Sequence, residues 1–122
     1  MGTVTQGMST SILLTIKDML GSTGPYDPVF DGELLTDINS AISILQEIIG
    51  TPIDETFEVT SDAETWTDLL GSDYSKFKLV KTFMHTEVKL MFDPPTSSVL
   101  LGHYKQLNEE ARFYLKLKAE IK

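Results

Sequence analysis

Two histidines, eighteen carboxylates and no cysteine are what this 122-residue chain offers to chemistry. His85 lies in "MHTEV" with Glu87, but a spacing of two puts the pair on different sides of a helix. His103 has no carboxylate three or four positions before it. The His-Glu-x-x-His zinc pattern is missing, and a thiolate site needs cysteines that the chain lacks. Both histidines therefore read as structural or surface residues. Asp27 and Asp31 flank a helix start, where acidic side chains favour the macrodipole, and with Glu33 and Asp37 they do not have the spacing of a calcium loop. Asp54, Glu55 and Glu58 are scattered along a loop and read as capping or solvated acids. "LLGSDYSK" has one glycine and no phosphate-loop pattern, and no Gly-x-Ser-x-Gly elbow occurs. The residues predict no catalytic, cofactor-binding or metal-binding site, and no enzyme.

The elements that would carry these residues are helices. Ser9 or Ser11 can cap a first helix with Ile12, Leu13, Ile16, Met19 and Leu20 apolar and Gly21 at its end. "GSTGPYDP" is a loop. A second helix starts at Phe30, its apolar face made by Leu34, Ile38, Ala41, Leu45 and Ile48, and ends at Gly50 and Pro52. "TFEVT" at 56–60 alternates and predicts one short extended segment. Ser61 and Glu64 have the spacing of a capping box for a short third helix carrying Trp66, Leu69 and Leu70. Asp73 can cap a fourth helix. It has one stripe of Phe77, Val80, Met84, Val88 and Met91 and a second of Leu79, Phe83 and Leu90. Two stripes predict a helix covered on most sides, at the centre of a bundle.

Asp93-Pro94-Pro95 must stop that helix near Phe92, because proline lacks a donor and constrains the residue before it. Thr96, Ser97 or Ser98 can cap the last helix. The corner fixes the angle between two helices, which suits an arm reaching another subunit and equally a tight hairpin. Along the last helix Leu100, Tyr104, Leu107, Ala111, Tyr114, Lys118 and Ile121 recur in heptad fashion and predict the core-facing seam. Phe113 and Leu117 fall on roughly the opposite side. Such an apolar surplus marks either a surface that a partner covers or a wrapped chain end. The candidate partner interface is Phe113, Tyr114, Leu117 and Ile121, with Asp93, Pro94 and Pro95 as its corner.

The whole reads as one all-α domain over residues 1–122. It is a small bundle of about five helices with an N-terminal extension at 1–8 and a long C-terminal helix at 96–122. No apolar run is long enough to span a bilayer, and the N-terminus has no signal-peptide character. The net charge of −8 is unevenly spread. Residues 1–75 contain 13 acids and one base, whereas 76–122 contain 9 bases and 5 acids. An acidic half repels phosphate, which argues against sequence-reading nucleic-acid binding.

Four segments in order, "TIKDMLG", "FDGELLTDINSAISILQEIIG", "FEVTSDAETWTDLLG" and "VKTFMHTEVKLMFDPPTSSVL", resemble the small head-tail connector (head-completion or adaptor) proteins of long-tailed double-stranded DNA phages. The match runs from about residue 10 to residue 121. Its most specific pieces are Phe92 to Ser98, Ile38-Asn39-Ser40-Ala41, and Thr65-Trp66-x-Asp68. Met1 to Gly7 lie outside it. The resemblance implies a structural virion protein with no cofactor. It would be a subunit of a homo-oligomeric, twelve-membered neck ring that docks on the portal protein and extends the DNA channel. It would also receive the downstream neck or tail protein. Genomic DNA would pass without sequence-specific binding, with the acidic loop of Asp54, Glu55 and Glu58 facing channel or solvent, and no membrane is involved. Assembly would take place in the host cytoplasm. The alternative is a monomeric acidic helical adaptor or regulatory protein of a bacterium.

Overall fold

A computed structural model describes residues 7–21, 28–50, 56–71 and 74–121. Five helices follow in order: α1 (Ile12–Leu20), α2 (Asp31–Ile49), α3 (Trp66–Leu70), α4 (Phe77–Phe92) and α5 (Ser98–Ile121). Short 3-10 turns, Pro28–Phe30 and Tyr74–Lys76, lead into α2 and α4. No strand forms among the described residues, so the architecture is the expected all-α bundle.

Local chemistry sets most helix ends. Ser11 is the cap of α1, its Oγ accepting from the Leu14 amide at 3.1 Å. Gly50 takes φ 66 after α2, a left-handed value that suits glycine, and returns its amide to the Gln46 carbonyl at 2.7 Å. Helix α3 departs from the expected start. Ser61 and Glu64 do pair, the Ser61 amide donating to Glu64 Oε1 at 3.1 Å, but they close a turn outside the helix. The capping box is Thr65 with Asp68: Thr65 Oγ1 accepts from the Asp68 amide at 3.2 Å, and Asp68 Oδ2 accepts from the Thr65 amide at 2.9 Å. Long-range pairing accounts for the shift. The Ile12 amide takes the Glu64 carbonyl at 2.9 Å and the Thr67 amide takes the Met8 carbonyl at 2.8 Å, which holds 64–65 extended against the start of α1. The expected cap of α4, Asp73, lies outside the described residues, and α4 grows from the preceding 3-10 turn.

The segment at 57–60 forms no strand. The Asn39 side chain pairs with it instead. Its Nδ2 donates to the Val59 carbonyl at 2.9 Å and its Oδ1 accepts from the Val59 amide at 2.8 Å. Val59 thereby enters the core with both backbone groups paired.

Helix α4 is the centre, packed against α5, α2 and α1. Phe77, Val80, Phe83, Met84 and Val88 are buried, whereas Met91, expected in that stripe, is exposed at the helix end. Trp66 is fully buried and donates from Nε1 to Thr15 Oγ1 at 3.0 Å, tying α3 to α1. The core face of α5 keeps Tyr104 and Ala111 of the expected seam but brings in Asn108 and Leu115 beside them. Asn108, Ala111 and Leu115 are buried, with Tyr104 and Ala119 half-buried beside them. Leu100 and Tyr114, placed in the seam by their spacing, are exposed.

Candidate functional site

The corner after α4 is held by its own chemistry. Asp93 caps α4 with its amide on the Lys89 carbonyl at 3.0 Å, and its Oδ2 lies 3.1 Å from Lys89 Nζ. Pro94 and Pro95 then carry the chain to Ser97. The Ser97 hydroxyl accepts from the Leu100 amide at 3.3 Å and its carbonyl from the Leu101 amide at 2.9 Å. Of the three candidate caps, Ser97 is the one used.

Past the corner, a polar cluster locks α5 onto α4. Asn108 Nδ2 donates to Thr86 Oγ1 at 3.0 Å and to Glu87 Oε1 at 3.1 Å. Arg112 donates from Nε to Asn108 Oδ1 at 2.8 Å and from Nη2 to Glu87 Oε1 at 2.7 Å, while its guanidinium lies over the Phe83 ring. Every member has partners, so the cluster specifies the register of α5 rather than straining it. The sequence reading missed it. Its legible signal was a pair of polar residues, Asn108 and Arg112, four apart beside the apolar row.

With that face committed to the core, the opposite face of α5 is bare. Phe113 is 62% exposed, Tyr114 49% and Leu117 41%, and nearer the corner Val99 is 79% and Leu100 51% exposed. Three of the four expected interface residues therefore lie together on the surface. Nothing is described of the Ile121 side chain. Phe113 and Tyr114 meet edge to face, their centroids 5.2 Å apart. Glu58 is exposed on the loop after α2, whereas Asp54 and Glu55 lie outside the described residues.

No cluster of three or more histidines and carboxylates is placed to hold a metal among the described residues. Asp31 Oδ1 sits 2.7 Å from the buried Lys17 ammonium, a structural pair joining α1 to the start of α2. Burial, with Glu33 close by, raises the Asp37 carboxyl above its usual value. His85 is held below the ordinary imidazole value by burial and by the Lys89 charge, against the opposing effect of a hydrogen bond with the Met19 backbone. Its Nε2 is buried with no hydrogen-bond partner among the described residues, and its ring packs edge-on against Tyr104. Both environments fit packing and neither places a nucleophile or base at an open cleft. No helix among the described residues is long and apolar enough to cross a membrane.

The molecule is thus a small helical subunit whose distinctive feature is a surface. Over residues 12–122 the sequence matches the family model described as "Phage connector protein", and the chain belongs to that family. Comparisons with curated proteins and with solved structures returned no match. Membership identifies a structural protein of phage head-tail assembly. It also covers Asn39, Thr65, Trp66 and Asp68 and the corner from Phe92 to Ser98, each with a defined role in the fold.

Proposed function

We propose that the chain forms a neck ring of twelve subunits that docks on the portal, extends the DNA channel and joins head to tail. In this role it is a non-enzymatic part of the virion. The observation that carries the reading is the outer face of α5 in a chain of the connector family: Val99, Phe113, Tyr114 and Leu117 are left in water on a helix whose angle and register are fixed. Apolar area of this kind is what a partner surface removes from solvent. The portal, a neighbouring subunit and the next neck or tail protein are the candidate partners. The acidic surface, Glu58 within it, suits a channel that lets DNA pass without trapping it.

The test is stoichiometry. Quantitative mass spectrometry of purified tailed particles should give about one copy per portal subunit. Absence from intact particles would sink the neck role.

A further inference from the structure

The two halves of α5 are held differently. From Asn108 onward the helix is anchored by Asn108, Ala111 and Leu115, all buried, and by the polar cluster with Glu87 and Arg112. Between Pro94 and Leu107 no residue is buried. Pro95, Leu101, Tyr104 and Leu107 are half-buried and the others are exposed. An open recess of about 330 Å³ separates the last turn of α4 from the first turns of α5, with Lys89, Asp93, Pro95, Ser97, Leu100 and Tyr104 in its lining. The corner is thus spanned but not filled, and dispersion contacts are lost there. Gly102 sits in the middle of this half, where a Cβ meets nothing within 4 Å. Glycine weakens a helix interior relative to alanine, and no packing need explains it here. Stretches with few buried contacts are the ones that open locally.

His85 stands where this half meets the bundle. Its ring packs edge to face on Tyr104 of α5, the centroids 5.7 Å apart, and it shares a hydrogen bond with the Met19 backbone of α1. One imidazole therefore joins α1, α4 and α5. Its Nε2 is buried, and among the described residues it has no hydrogen-bond partner. The charged groups around it offer a proton no welcome. On α4, Lys89 lies one turn on, with Asp93 as its partner. On α5, Tyr104 faces the ring and His103 lies behind Tyr104. On α1, Met19 is flanked in sequence by the exposed Asp18 and by Lys17, which pairs with Asp31. A proton on Nε2 would make a cation beside a cation, with no acceptor in reach.

We infer that residues 96–107 are a separately opening half of α5 and that His85 is its catch. Neutral His85 keeps Tyr104 docked on α4. Protonated His85 lets the first turns of α5 unwind, while the Asn108 cluster holds the second half in place. Opening brings water to Nε2, so the open form takes up the proton more readily than the closed one. Above the ordinary imidazole value of about 6.5 neither form binds it and opening does not depend on pH. As pH falls through that value, opening grows. Neck role and opening are separate properties: the copy number in particles says nothing about the free chain, and either idea can fail alone.

Amide hydrogen exchange of the full chain in low urea tests this. The amides of residues 101–107 are expected to exchange through a small opening that urea barely changes, and those of 111–117 through a larger one that urea promotes. Corrected for intrinsic rates, the small opening is expected to grow about threefold or more from pH 8 to pH 5 and to lose that growth in His85→Gln. Gly102→Ala is expected to reduce it about fivefold at either pH. One common urea dependence for both halves, a small opening indifferent to pH, a pH response kept in His85→Gln, or an opening unchanged in Gly102→Ala would each overturn the inference.

Discussion

Asn39, in the middle of α2, holds both backbone polar groups of Val59, twenty residues further on. One side chain thus does what a neighbouring strand would do, and it lets the chain cross the core without a sheet. Replacing Asn39 by alanine leaves a buried amide and carbonyl unpaired, at about 1–3 kcal/mol for each group left without a partner. Urea unfolding should give a loss of about 2 kcal/mol or more. Asn39→Asp, which keeps an acceptor for the Val59 amide but loses the donor to the carbonyl, should be destabilised as well.

Trp66 is the only tryptophan, and it is buried against α1 and Phe77. Its fluorescence should be blue-shifted in the folded chain and move to the red in step with the loss of helical circular dichroism. Trp66→Phe removes the indole donor to Thr15, whose hydroxyl still donates to the Ser11 carbonyl at 2.6 Å, so the expected loss is moderate, about 1–2 kcal/mol.

Glu87, Asn108 and Arg112 act as a unit. Arg112→Met strips the half-buried Glu87 carboxylate of its cation, and Glu87→Gln strips Arg112 of its anion. Water reaches Arg112 and screens the pair, so a double-mutant cycle should give a coupling of about 1 kcal/mol, less at high salt. Additive single effects would show that the register of α5 is set by its apolar residues alone.

The folded state holds His85 in its neutral form, with its pKa below the unfolded value of about 6.5. Above that value neither state binds the proton and His85 contributes no pH dependence. As pH falls through it, the unfolded chain takes up the proton first, so stability declines until pH drops below the depressed folded value. Chemical unfolding between pH 8 and pH 5 should show this decline in the native sequence. It should be reduced in His85→Gln.

Phe113 and Leu117 are expected to matter for assembly and not for folding. Phe113→Asp and Leu117→Asp should shift stability by no more than about 0.5 kcal/mol, because both side chains face solvent in the single chain. The same changes should lower incorporation into particles. Removing the chain after Ala111 is a poorer probe, since it takes away Leu115, which is fully buried.

The sequence alone determined the helices, the central place of α4 and the proline corner. Each rests on local chemistry: a cap among Ser9 and Ser11 and another among Thr96, Ser97 and Ser98, two apolar stripes on one helix, and a backbone that cannot continue through Pro94 and Pro95. It also located the bare patch at Phe113 and Leu117. Only the tertiary structure decided which row of α5 faces inward. Tyr104 and Ala111 belong to either of two overlapping rows, and Asn108 with Leu115 rather than Tyr114 completes the inward one, the Asn108 cluster through partners on α4 more than twenty residues away. The start of α3 was likewise settled from a distance. Local pattern favours the Ser61–Glu64 box, and Thr65 caps the helix where residues 64–67 pair with residues 8–12. Spacing along a chain records what each segment can do; which possibility is taken depends on contacts that spacing does not carry.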